Sequence, residues 1–99
     1  MNIKQHKPMH PGEFIQRVYL EPFELGIREV AKALNVNPST LSRLVNGKSD
    51  IVPNMALRIS KVLGRSPESW LQMQDNYNLF QAKQEIDLSD CEPIKFEAA

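Results

Sequence analysis

The sequence has little cysteine, little glycine and no long apolar run. Its 99 residues include one cysteine and four glycines. Cys91 has no partner for an internal disulfide, which fits a reducing cytosol. No apolar run approaches the roughly 20 residues that a membrane helix requires, and the N-terminus lacks the apolar core of a secretory signal. We therefore expect one small domain that acts in the cytoplasm, with no membrane partner.

Net charge is also absent, because 12 lysines and arginines balance 12 acidic residues. The charges are nevertheless segregated. Residues 26–65 hold seven basic and two acidic residues, a net charge of +5, whereas residues 66–99 hold two basic and seven acidic ones, a net charge of −5. Local lysines and arginines determine affinity for DNA. A nucleic-acid partner is therefore compatible with the neutral total, although chance can also partition charge in this way.

Motifs of enzyme active sites are missing as well. The chain has no G-x-S-x-G, Walker-type or H-E-x-x-H pattern. His6 and His10 are four residues apart, but Pro8 lies between them and Pro11 follows, so a helical pair of metal ligands is not expected. We predict no enzymatic activity, no metal and no cofactor.

Prolines and glycines mark the ends of five predicted helices. The helices are expected at residues 11–20, 27–34, 38–46, 54–63 and 67–86. The side chains of Asn37 and Ser66 are expected to cap the third and fifth helices. Ile94-Lys95-Phe96-Glu97 alternates apolar and charged residues, as a short strand would. The predicted fold is all-α, with a domain over residues 1–86 and an acidic tail over residues 87–99.

The fifth helix carries Trp70, Met73, Tyr77 and Phe80 at intervals of three and four residues. This spacing is typical of an apolar seam between helices that pack at a shallow angle. Packing on the domain's own core explains Trp70 best. The seam is long for so small a core, so we predict that Met73, Tyr77 and Phe80 contribute to a dimer.

Residues 27–48 have the pattern of two short helices that meet at a tight turn. Ala31 supplies the small side chain that a close helix crossing needs, and Asn35 tolerates the left-handed backbone of the turn. A shared apolar wedge completes the helix-turn-helix pattern. Its members are Val30, Leu34, Val36, Leu41 and Leu44.

Removing the buried positions from the third helix leaves an outward face of short polar residues and one arginine. The face comprises Asn37, Ser39, Thr40, Ser42, Arg43 and Asn46. Arginine can donate two hydrogen bonds to guanine, and serine or threonine can meet bases or phosphates. Arg28 and Lys48 flank the face and are better placed for phosphates. We predict a DNA-binding surface, while a two-helix corner that serves only protein contacts is the alternative.

Several motifs carry a resemblance to a known family. Thr40-Leu41-Ser42 and Asn46-Gly47-Lys48 look like the five-helix domain of phage repressors and of the xenobiotic-response-element class. His10-Pro11-Gly12-Glu13, Met55-Ala56-Leu57-Arg58-Ile59-Ser60 and Trp70-Leu71-Gln72-Met73-Gln74 resemble the HigA-type (VapI-like) antitoxins. The matches cover roughly residues 8–83. They depart from the family at Asn78, where it often has aspartate.

The resemblance implies a homodimer that represses transcription from an inverted-repeat operator in double-stranded DNA and neutralises a HigB-like ribonuclease toxin. A stand-alone regulator of the same fold is the main alternative. The acidic tail could dock on a basic toxin or simply keep its own side of the protein off DNA, and the second interpretation is favoured.

Overall fold

The computed structural model describes residues 6–97, and within them the chain forms five helices. The first, α1 (Pro11–Ile15), continues into a π-helical segment (Gln16–Leu20), whose widened turn is closed by the Glu21 N–H donating to the Gln16 carbonyl (2.9 Å). The others are α2 (Ile27–Leu34), α3 (Pro38–Val45), α4 (Pro53–Leu63) and α5 (Pro67–Glu85). The predicted all-α, five-helix fold is confirmed, with each predicted boundary within one residue.

The strand predicted at residues 94–97 is wrong. Residues 91–97 have no regular structure, and Ile94 and Phe96 are 74% and 90% exposed. A strand needs a neighbour that accepts and donates its backbone hydrogen bonds. No other strand exists between residues 6 and 97, so the alternating pattern has no partner in the single chain.

The core is built around Trp70, which is completely buried. Its ring meets the rings of Phe14 and Tyr19 at centroid distances of 5.8 and 6.1 Å, and its Nε1 donates to the Gly64 carbonyl at 2.9 Å. Each helix adds its apolar face to this centre. The buried apolar residues are Ile15, Leu20, Val30, Ala31, Leu34, Leu41, Leu44, Ile51, Ala56, Ile59 and Trp70.

Side chains cap the starts of two helices. The His10 imidazole accepts from the Gly12 N–H at the start of α1 (2.9 Å), and Ser66 Oγ accepts from the Ser69 N–H at the start of α5 (3.1 Å). The predicted side-chain cap at Asn37 is wrong. The Thr40 N–H, which a cap at Asn37 would satisfy, already bonds to the Asn37 backbone carbonyl at 3.0 Å. The Asn37 amide is left for other partners.

The start of α1 and the end of α3 are in close backbone contact. A Cβ atom added at Gly12 would lie 1.7 Å from the Leu44 carbonyl oxygen, where no atom can fit. Only glycine therefore allows α1 to lie directly on the backbone of α3. This contact fixes the end of the helix that carries the predicted DNA-binding face.

We predict that Gly12→Ala lowers the free energy of unfolding by about 3 kcal/mol, because the added methyl group forces α1 away from α3. Urea unfolding followed by circular dichroism measures this loss. Gly26→Ala is the matched control, since a Cβ there meets nothing within 4 Å. The control is expected to cost less than about 1 kcal/mol, as a change at an N-cap does. Equal losses for the two variants would contradict the close contact.

Candidate nucleic-acid interface

α2 and α3 meet in the turn that the sequence predicted. Asn35 has φ 57° and ψ 48°, the left-handed conformation, and the Val36 N–H returns to the Ala31 carbonyl at 3.0 Å. Ala31 is fully buried at the helix crossing. Val30, Leu34, Leu41 and Leu44 are buried behind it, with Val36 packed against them. A helix-turn-helix is therefore present over residues 27–45.

The face of α3 that points away from this core is polar and open. Asn37, Ser39, Thr40 and Arg43 are exposed, and Ser42 is half-buried. Of the apolar residues of α3, Leu41 and Leu44 are buried and Val45 is half-buried, while Pro38 at its first position is exposed. The structure thus brings the predicted base-reading residues together on one surface.

Two residues of this face already make hydrogen bonds within the protein. The Arg43 guanidinium donates to the Lys48 carbonyl at 3.2 Å, and the Asn46 amide donates to the Ser42 carbonyl at 2.8 Å. The Ser42 carbonyl also accepts from the Asn46 backbone N–H at 3.1 Å, so both Asn46 donors bond to the last turn of α3. Arg43 has five N–H donors and uses one here, so it is held at the surface with donors to spare.

The predicted phosphate contacts, Arg28 and Lys48, are exposed on either side of the α3 face. Within residues 6–97 the structure contains one ion pair, between Arg17 and Glu13. The positive charges around α3 are therefore not neutralised by neighbouring carboxylates. Such a surface attracts a polyanion.

Arg58 has a structural role that the sequence reasoning missed. Its guanidinium donates to the Leu34 carbonyl (2.9 Å) and the Asn35 carbonyl (3.3 Å), while Nε donates to Asn54 (2.8 Å). It therefore caps the end of α2 and holds the turn. The sequence contains no signal for this contact, because the acceptors are backbone carbonyls 23 and 24 residues away.

A second missed feature is a polar chain that fixes the loop after α3. The buried Gln74 accepts from the Ile51 N–H (2.7 Å) and donates to Asn78 (3.1 Å), which donates to the Asp50 carboxylate (3.0 Å). Asparagine at position 78 can donate to Asp50, whereas aspartate would place two carboxylates together. The departure from the family pattern at Asn78 thus matches the acidic residue that it faces.

His10 joins α1, the loop after α3 and α5. Its ring meets Tyr77 edge-on at 4.9 Å and lies against Gly47, whose φ is +71°. Burial lowers the pKa of His10 from its usual 6.5, with Asp50, the Ser49 backbone and Glu13 acting in the opposite direction. The neutral imidazole suits the structure, because its Nδ1 must accept from Gly12.

We predict that His10 makes stability depend on pH. A lowered folded-state pKa means that the unfolded chain binds the proton more readily, so this contribution is complete above pH 6.5 and decreases as the pH falls below it. Urea unfolding at pH 7.5 and pH 5 measures the effect. His10→Asn keeps a capping oxygen for Gly12 and is expected to lose less stability on acidification than the original protein.

His6→Asn is the control, because His6 is exposed and its removal is expected to leave the acid-dependent loss in place. An acid-dependent loss in His10→Asn as large as in the unchanged protein would contradict this role of His10.

The predicted dimer residues on α5 differ in how much surface they offer. Met73 is half-buried against the protein's own core, and Tyr77 packs on His10. Phe80 is half-buried, while its neighbour Leu79 is 56% exposed. The open apolar surface therefore lies on the last turns of α5, and the dimer remains a prediction.

No group of three or more potential metal ligands occurs in residues 6–97. None of the helices described there is long and apolar enough to cross a membrane.

A two-helix corner with an open polar helix and unpaired flanking cations defines the helix-turn-helix class of DNA-binding regulators. The chain belongs to the helix-turn-helix family, whose model matches residues 19–70. The family comprises DNA-binding regulators and antitoxins and is not an enzyme class. The predicted resemblance to HigA-type, VapI-like members is confirmed by the relatives that the chain matches.

Two relatives show the range of names in this family. The HTH-type transcriptional regulator YddM of Escherichia coli is 40% identical over 79 residues, which are 80% of this chain and 83% of YddM. Antitoxin HigA-1 of Vibrio cholerae is 30% identical over 83 residues, covering 84% of this chain and 78% of the antitoxin.

Two solved structures from Pseudomonas aeruginosa have the same fold and contain DNA. PA4674 in complex with an 18-base-pair operator has a TM-score of 0.81 and 27% identity, covering 91% of this chain and 100% of PA4674. Antitoxin HigA with the higBA promoter has a TM-score of 0.70 and 28% identity, covering 81% of this chain and 96% of HigA.

Proposed function

We propose that the protein is a sequence-specific transcriptional repressor and antitoxin of the cytoplasm, which binds an inverted-repeat operator as a dimer and neutralises a HigB-like ribonuclease toxin. The observation that carries the proposal of operator binding is the open face of α3. It presents short hydrogen-bonding side chains and a single arginine between unpaired cations. The operator and promoter complexes of PA4674 and HigA support the same conclusion.

Recognition would use the two kinds of side chain differently. Arg43 can place two N–H groups on the O6 and N7 atoms of a guanine, while Asn37, Ser39 and Thr40 meet adjacent base edges or phosphates. Arg28 and Lys48 hold the backbone and fix the register of α3. The bond from Arg43 to the Lys48 carbonyl limits the motion of the guanidinium before DNA arrives, which reduces the entropy lost on binding.

A two-fold dimer would place its recognition helices about 34 Å apart, one turn of B-DNA. The half-buried Phe80, with Tyr77 and Met73 behind it on α5, is the contact that we propose. The exposed Leu79 next to Phe80 supports an interface on the last turns of this helix.

We expect Arg43→Ala to lower the affinity for the protein's own promoter region by about 1–3 kcal/mol and to reduce discrimination against altered operators. Thr40→Ala is expected to act in the same direction with a smaller effect. Gel shift with the promoter fragment and with a mixed-sequence duplex measures both quantities.

Lys61→Ala is the matched control, because Lys61 is exposed but lies on α4, outside α2 and α3. Undiminished binding by both Arg43→Ala and Thr40→Ala would refute the assignment of the groove-facing surface. Light scattering of the complex tests the dimer, for which two chains per operator are expected and one chain would contradict it.

The antitoxin half rests on the relationship to HigA-1 and to HigA of P. aeruginosa. We predict that the chain co-purifies with the product of a small neighbouring gene and restores growth to cells that express it.

We also propose that residues 1–86 form the functional domain and that the acidic tail keeps its own side off DNA. Removing residues 87–99 should then leave neutralisation unchanged. Loss of neutralisation would instead favour docking of the toxin on the tail.

A stand-alone regulator is the second candidate function. It is favoured by YddM, a relative with 40% identity that carries the name of a transcriptional regulator and not of an antitoxin. The identity of the neighbouring gene distinguishes the two candidate functions. Absence of a toxin gene there would remove the antitoxin half and leave the repressor.

A further inference from the structure

A cavity of about 510 Å³ opens beside the end of the recognition helix. The segment before α1, the end of α3 and the middle of α5 form its walls. The polar residues that matter here are Lys7, His10 and Asn46, with Tyr77 on the α5 side. The cavity therefore begins where the α3 face ends.

Lys7 is held at this cavity without a compensating acid. Its Nζ lies 5.8 Å from the centre of the Tyr77 ring, within the range of a cation–π contact. Glu13 is the carboxylate that lines the same cavity, and it is paired with Arg17 at 2.9 Å. The positive charge of Lys7 is thus positioned by an aromatic ring and left available to an outside anion.

His10 lines the same cavity, with its Nε2 atom buried. Since Nδ1 accepts from Gly12, the neutral ring carries its proton on Nε2. Nε2 has no hydrogen-bond partner within residues 6–97, although the side chain is only 4% exposed. The Lys7 ammonium group, which forms no ion pair within residues 6–97, therefore makes the local potential positive.

We propose that Lys7 binds a phosphate of the DNA backbone just beyond the bases that α3 reads. The proposal rests on the proposed operator binding: Lys7 and Asn46, at the end of α3, line the same cavity, so a DNA strand bound along α3 would bring a phosphate within reach of Lys7. The segment before α1 would then act as a further contact to the backbone, in addition to those of Arg28 and Lys48. Such a contact adds affinity and register without adding sequence preference.

The salt dependence of binding tests this contact. Each lysine–phosphate contact contributes about 0.9 to the slope of log K against log salt concentration. We expect Lys7→Gln to make the slope shallower by about that amount and to weaken binding by about two- to five-fold at low salt, equally for operator and mixed-sequence duplex. Lys7→Arg, which keeps the charge, is expected to bind like the original protein.

Lys61→Gln is the matched control, because Lys61 is an exposed lysine on α4, away from the cavity. An unchanged slope for Lys7→Gln, in a protein whose operator binding still depends on Arg43, would overturn the Lys7 contact alone. An equal change in Lys61→Gln would also overturn it, since the effect would then follow net charge. Failure of the unmodified protein to bind any duplex would refute the proposed function together with this contact.

Discussion

An isolated helix of eight residues does not form stably in water, and α3 has only eight. Its shape and position depend on what holds it. Leu41 and Leu44 are buried on one side, and the backbone of α1 lies directly on its last turn at Gly12. These contacts leave the opposite side of α3 uncovered. A short helix fixed in this way can offer several side chains in a defined geometry, which is what reading a base sequence requires.

The surroundings of α3 extend this restraint to the residues beside it. Arg58 holds the carbonyls at the end of α2, and Gln74 holds the backbone of the loop that follows α3. Neither residue lies on the proposed DNA-binding face of α3. Their effect is to fix the turn before α3 and the loop after it, so that Arg28 and Lys48 are carried on ordered backbone.

The local features of the fold could be predicted from the sequence. Prolines at first helical positions and glycines at helix ends act through their own backbone preferences, so the five helices followed from single residues and their spacing. Ala31 and Asn35 identified the turn because few residues fit those positions. The strand prediction at Ile94–Phe96 was wrong because alternating apolar and charged residues form a strand only when another strand pairs with them. The described part of the chain contains no such strand.

The long-range polar contacts could not be predicted. Arg58 and Gln74 bond to backbone atoms more than 20 residues away. Because residues of every type have these backbone atoms, the sequence does not indicate which of them a side chain will contact. This also changes the electrostatic interpretation of the basic segment. Arg58 donates to a carbonyl at the end of α2, and Arg65 stacks on Phe14 and Trp70. These two positive charges therefore make contacts within the protein itself. Of the cations that remain in residues 26–65, Arg43 lies on α3 and Lys48 just beyond it, whereas Lys61 lies on α4.

The most direct test of the central claim is to map amide and arginine side-chain NMR shifts on titration with the operator duplex. The account predicts that the largest changes fall on residues 37–48 and on the Nε of Arg43, with smaller changes on α4 and on the tail. Changes concentrated on α4 or on residues 87–97, with α3 unaffected, would contradict it.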